Sequence, residues 1–143
     1  MKRVHEFGVA LLAVVVGWCA GCAPASQSDL PPMPSTMPTD TWFQAEVVQS
    51  ETPVLVEFGA TWCPPCRKLE PLLERLADEY DGRVKVVKVD VDERRDLSSH
   101  FSVSGIPMLL VIDSSEVVDG AVGYIEYEEL ESLVKPYIRN AGS

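Results

Sequence analysis

The stretch Phe58-Gly59-Ala60-Thr61-Trp62-Cys63-Pro64-Pro65-Cys66 sets the architecture of this chain. It joins a strand-like run, Val54-Leu55-Val56-Glu57-Phe58, to a segment in which Leu69, Leu72, Leu73, Leu76, Ala77 and Tyr80 recur at helical spacing, with Glu70, Glu74, Arg75 and Asp78 between them. The cysteines therefore fall where a strand gives way to an amphipathic helix. Their separation brings both sulfurs to one side of the first helical turn, where they can close a small disulfide ring. The first sulfur lies at the positive end of the helix. Unsatisfied N–H groups and the macrodipole favour a thiolate there, so Cys63 is the expected nucleophile. Pro64 and Pro65 occupy first-turn positions, where a missing N–H costs little and the fixed φ is already helical. Each also removes a donor. The thiolate is then expected to lean on the N–H of Cys66 and on the helix field, with a moderate pKa depression and a reducing couple.

On either side of this centre the chain reads α-β-α-β-α-β-β-α. Thr41 and Gln44 suggest a capping box before Trp42, Phe43, Val47 and Val48, and Pro53 precedes the first strand. Pro71 falls inside the long helix and removes its hydrogen bond to the carbonyl of Arg67, which predicts a kink. Asp81-Gly82 ends that helix. A β-branched strand over Val84 to Val91, a short helix over Glu93 to Phe101, and a strand over Met108 to Ile112 follow. A turn at Asp113-Ser114-Ser115 leads to a last strand, Val117 to Val122, and then to a helix with Tyr127, Leu130, Leu133 and Val134 inward. The run Val54 to Phe58 is apolar on both faces, as in a central buried strand. A carboxyl at Glu57 is then desolvated, and its pKa should rise.

Phe58 through Cys66, the kink proline Pro71, Lys88-Val89-Asp90-Val91-Asp92 and Gly105-Ile106-Pro107 together resemble the thioredoxin family, across nearly all of Thr41 to Arg139. The resemblance implies an α/β thioredoxin fold with a central mixed β-sheet flanked by helices. It implies that Pro107 is a cis-proline facing a Cys63–Cys66 redox disulfide, and that Trp62, Ile106 and Pro107 form the substrate groove. The backbone of Ile106 would pair with an incoming peptide like an added strand. Glu57 stands where the family usually carries Asp as a proton relay to the second cysteine, and Lys88 matches the accompanying lysine; the alternative for this pair is a buried ion pair kept for packing. Gly59 stands where many members carry Trp, which should open the surface around Trp62. The family's first strand maps onto Leu30 to Met37, where prolines make it missing or rudimentary.

The composition, 143 residues with 46% hydrophobic and 24% charged, is that of an ordinary globular protein. A net charge of -10 disfavours a grip on nucleic acid phosphates. Lys2 and Arg3 precede an apolar run from Phe7 to Trp18 that closes in small residues, the layout of an export signal over 1–21. Ala20-Gly21-Cys22 resembles the lipobox of bacterial lipoproteins, with Cys22 as the lipidated residue, although Cys19 stands where an aliphatic residue is usual. An ordinary signal peptide and an uncleaved anchor are the alternatives. All three place the domain outside the cytoplasm, membrane-attached or periplasmic in a bacterial cell envelope. Residues 22–40 read as a proline-rich tether and 41–143 as the thioredoxin-like domain.

These features imply a protein-disulfide reductase without a dissolved cofactor or metal. Its partners would be exported disulfide-containing proteins and a transmembrane thiol relay that resupplies electrons, and the domain would be a monomer. A disulfide-inserting oxidase uses the same site, and a chaperone or copper-handling thiol module would hold a ligand without turnover. A four-thiolate zinc site is disfavoured because Cys19 lies in the apolar segment and two prolines stiffen the second pair. A merely structural disulfide is disfavoured because so short a ring constrains little chain entropy. His100 reads as a surface or capping residue. Glu126, Glu128, Glu129 and Glu131 read as favouring a helix dipole.

Overall fold

Val54–Gly59 (β1) is buried at every position, which requires neighbours on both edges and cover on both faces. In the computed structural model, which describes residues 30–139, it has both. Lys85–Asp90 (β2) pairs with it in parallel on one side, and Met108–Asp113 (β3) pairs antiparallel on the other. Glu116–Val122 (β4) continues the sheet antiparallel to β3, giving a four-stranded order β2-β1-β3-β4. This is the mixed sheet expected from the sequence.

Alternation along β1 sends side chains to two separate cores. Val54, Val56 and Phe58 pack with Phe43, Leu97, Phe101 and Leu110 on one face. That face is covered by Thr41–Phe43 (α1), which continues as a π-helical turn over Gln44–Val48, and by Arg95–His100 (α3). Leu55 points the other way, into a core with Leu69, Leu73, Leu76 and Leu130. Pro64–Glu79 (α2) and Tyr127–Val134 (α4) cover this second face. The two helices also exchange tyrosine hydrogen bonds: Tyr80 donates to Glu131 and Tyr127 donates to Glu79 at 2.6 Å. Burial, with the Glu79 hydrogen bond second, pushes the Tyr127 hydroxyl up to about 12. Glu131 thus has a packing role that its place in an acidic run did not suggest.

Two local expectations change. The cap of α1 is Asp40, whose side chain accepts from the N–H of Phe43 at 2.8 Å, one residue before the expected Thr41. Gln44 turns back to donate to the carbonyl of Pro38 at 2.7 Å rather than closing a box with Thr41. The described part of the proline-rich stretch, Leu30 to Asp40, contains no strand, as expected for the absent edge, yet it is not a free spacer. Leu30, Met33 and Met37 pack against the first core, and the His100 ring Nε2 donates to the carbonyl of Thr36 at 2.8 Å. The packed domain therefore begins before Thr41. The export signal over 1–21, Cys19, Cys22 and the tether up to Asp29 lie outside the described residues. Among the described residues, no helix is long and apolar enough to cross a membrane.

Packing of this segment has a measurable consequence. Replacing Met33 and Met37 together by Ser lowers the stability of the domain by about 1–3 kcal/mol in urea unfolding. A segment acting only as a spacer would change it by less than about 0.5 kcal/mol.

Candidate active site

The C-terminal end of β1 delivers the chain directly into α2, and the cysteines sit at that junction. Cys63 is the N-cap of α2 in extended conformation, and Pro64 and Pro65 follow in the first turn. A disulfide joins Cys63 to Cys66 across a Cα separation of 5.3 Å. The Cys63 sulfur accepts the N–H of Cys66 at 3.3 Å, so the one nearby first-turn donor that the prolines leave is directed at it. This is an N-cap made by sulfur instead of oxygen. The same contact and the helix dipole act on the anion when the disulfide is opened. Both cysteines are buried, at 2% and 6% exposure, against Ala60, Val91 and Ile106.

Trp62 beside them is 62% exposed, and its indole N–H donates to Asp92 at 2.7 Å. The ring is held in solvent by a hydrogen bond rather than by burial. The peptide bond between Ile106 and Pro107 is cis. Pro107 is buried, and its carbonyl accepts the N–H of Gly123 at 2.7 Å, which ties the loop to the end of β4. Ile106 packs against the disulfide pair. Among the described residues no backbone hydrogen bond engages Ile106.

Behind the disulfide lies Glu57, the one charged side chain buried among the described residues, at 6% exposure. It shares a face of β1 with Leu55 and Gly59 and points toward α2. A cleft of about 150 Å³ opens beside it, lined by Glu57, Gly59, Cys66, Glu70, Lys88 and Asp90. Lys88 is the register partner of Glu57 on β2, yet its ammonium pairs with Glu70 at 2.5 Å. The pair stands at the half-exposed mouth of the cleft. Lys88 therefore acts on Glu57 through space and is not half of a buried ion pair. Burial pushes the Glu57 carboxyl above its ordinary value, Lys88 opposes this, and the negative charge of Glu70 adds to it. Glu70 itself is held below its ordinary value by the Lys88 hydrogen bond.

Gly59 also has a second neighbour that the sequence did not suggest. A Cβ built there would meet Glu57 Oε1 at 2.4 Å and the Cys66 sulfur at 3.4 Å. The first atom of a side chain at 59 would thus meet the carboxyl and the second cysteine, and Glu57 occupies that place. Sequence reasoning missed Glu70 and Asp92. Glu70 lies one helical turn after Cys66, a spacing that places it on the same face, so that signal was available. Asp92 carried no such signal, since its link to Trp62 spans the β1–β2 crossover.

The perturbation of Glu57 has a definite sign in stability. A carboxyl raised above its ordinary 4.5 stabilises the fold fully below that pH and loses the contribution as pH rises through the elevated folded value. Glu57→Gln is therefore more stable than the parent in urea at pH 8, and the difference vanishes near pH 4. Lys88→Met moves the carboxyl titration further up, whereas Glu70→Gln moves it down, as followed by carbon NMR of the Glu57 side chain.

Comparison with known proteins agrees with this geometry. Residues 35–136 match the thioredoxin family model. The chain is 45% identical over 96 residues to thioredoxin C-2 of Corynebacterium nephridii, covering 67% of this chain and 89% of that protein. It is 38% identical over 100 residues to a thioredoxin of Porphyra purpurea, covering 70% of this chain and 94% of that one. With the mitochondrial thioredoxin of Mus musculus it shares 44% identity over 96 residues, 67% of this chain and 58% of that protein. A strand-to-helix junction carrying the disulfide, a cis-proline loop beside it and these relatives converge: the chain belongs to the thioredoxin family and is a thiol-disulfide oxidoreductase acting on disulfide-containing proteins.

Proposed function

We propose that this chain is a membrane-tethered, extracytoplasmic enzyme that works in the reducing direction on disulfides of other exported proteins. The observation that carries the chemistry is the Cys63 sulfur at the N-cap of α2, holding the N–H of Cys66. In the dithiol form the Cys63 thiolate attacks one sulfur of a substrate disulfide. That S–S bond breaks, a mixed disulfide forms on Cys63, and the other substrate sulfur leaves as a thiolate. Cys66, deprotonated by Glu57 directly or through a water in the adjoining cleft, then attacks the Cys63 sulfur. The substrate's remaining thiolate is released, and two electrons have passed from the enzyme dithiol to the substrate.

The proline pair supports the reducing direction, because a thiolate with fewer donors is less stabilised, which leaves the disulfide as the more stable form and the dithiol as the better electron donor. The exposed Trp62, the Ile106 side chain and the unengaged Ile106 backbone support a groove in which an extended peptide lies across the disulfide. Lys2 and Arg3, the apolar run behind them and Ala20-Gly21-Cys22 support export and lipidation at Cys22. Outside the cytoplasm the electrons must come across the membrane, which calls for a transmembrane thiol relay as the regenerating partner.

Three measurements test this. Cys66→Ser abolishes catalytic reduction of insulin disulfides and leaves substrate covalently bonded to Cys63; a ligand-holding module would show no turnover even with both cysteines. The reduction potential falls near the roughly -270 mV of a reducing thioredoxin, and a value near about -120 mV would reverse the assigned direction. In bacterial cells the mature chain begins at Cys22 with a thioether-linked lipid, and Cys22→Ser releases the domain from membranes. Recovery of unmodified Cys22 in a soluble chain would remove the tether.

A further inference from the structure

The cleft behind the disulfide contains a steric relation that neither Glu57 nor Gly59 shows alone. Both point to the α2 face of β1. A Cβ at residue 59 would lie 2.4 Å from Glu57 Oε1, 3.1 Å from its Cδ and 3.4 Å from the Cys66 sulfur. Real Cβ atoms do not approach oxygen to 2.4 Å, so the carboxyl occupies a place that only glycine leaves open. The same distances put that oxygen and that sulfur no more than about 6 Å apart, a gap that a single water can bridge.

We propose that Gly59 is a positioning residue for proton transfer: by lacking a side chain it lets the Glu57 carboxyl lie beside the Cys66 sulfur, so that residues 57 and 59 act as one unit. This rests on the assignment of Glu57 as the base for Cys66. Among the described residues, the charged groups lining the cleft beside the carboxyl come from two elements. Lys88 and Asp90 face it from β2, and Arg67 and Glu70 face it from α2. On the other side its strand neighbour is Leu109 of β3, which carries no charge. The three closest atoms to the position that a residue-59 side chain would take belong to Glu57 and Cys66.

The first consequence concerns stability. The atom that a new methyl group displaces is the free end of a flexible side chain, so Gly59→Ala folds and unfolds within a few degrees of the parent. Its effect appears in proton transfer. In Gly59→Ala the carboxyl is pushed from its place. The step in which Cys66 resolves a preformed Cys63 mixed disulfide slows about tenfold near neutral pH, part of the roughly hundredfold or more that a general base supplies. The pH profile of that step shifts as well. The preceding attack by Cys63 is unchanged.

The test is a double-mutant cycle on the resolving step, measured by stopped flow from pH 5 to 9 with a small aromatic thiol as the leaving substrate. Glu57→Asp withdraws the carboxyl by one methylene, so adding Gly59→Ala in that background changes the rate less than twofold. Equal losses in both backgrounds, or no loss in either, overturn the proposal. Glu57→Gln is run alongside to keep the two ideas apart. A pH profile unaltered by Glu57→Gln removes Glu57 as the base and this proposal with it. A strong loss in Glu57→Gln, with Gly59→Ala acting equally in both backgrounds, removes the positioning role alone.

Discussion

A carboxyl group carried into the middle strand of the sheet is the constraint around which this structure is arranged. Glu57 lies between paired strands and beneath a helix, where an ionised carboxylate loses most of its hydration and, among the described residues, forms no ion pair. The surroundings leave it a cleft on one side and a glycine on the other. They also place a lysine one strand away, near enough to limit the rise in its pKa and too far to abolish it. A carboxyl raised in this way holds its proton to a higher pH than an exposed one.

Helix α2 converts that constraint into a site, because successive turns of one rigid element carry both sulfurs and Glu70. Its N-cap is the Cys63 sulfur, its first turn ends in Cys66, and its second presents Glu70 to Lys88. Leu69, Leu73 and Leu76 clamp the opposite face onto the sheet. At its far end, the tyrosine exchange with α4 fixes it a second time. The sulfurs are thus placed by backbone geometry and by packing remote from the chemistry. Trp62 and the Ile106-Pro107 loop meet them from separate parts of the chain, each tied down by its own hydrogen bond.

What the sequence disclosed, and what it hid, follows from the range of the interactions. β1 and α2 were legible because an unbroken apolar run and a helical repeat are signals internal to one segment, and the cysteine spacing sits on their junction. The cap at Asp40 was displaced by one residue because Asp and Thr are both good caps and adjacent in the chain. Leu30, Met33 and Met37 left no period to read, since each enters the core singly between prolines. Lys88 was recognised, but its pairing with Glu70 joins residues 18 apart, and the Trp62 to Asp92 bond joins residues 30 apart. Gly59 was visible only as a missing side chain. Which neighbour used the space depended on the pleat of β1, and alternation along the strand, counted from Leu55, would have put it on the Glu57 side.

This division of labour separates two properties that thiol chemistry usually couples. The attacking sulfur is stabilised by the Cys66 N–H and a helix end, which any sequence with the same cap and prolines would reproduce. In the proposed mechanism the proton at the second sulfur is governed by side chains: the length at 57, the absence at 59 and the charges at 70 and 88. Changes among those four positions alter when Cys66 can act without moving Cys63 or its donor. On that mechanism a family fold can keep one redox geometry and tune its pH response in the cleft behind the disulfide. The longer acid opposite a glycine is one such solution, in which the bulk gained at one position is matched by bulk given up two residues away.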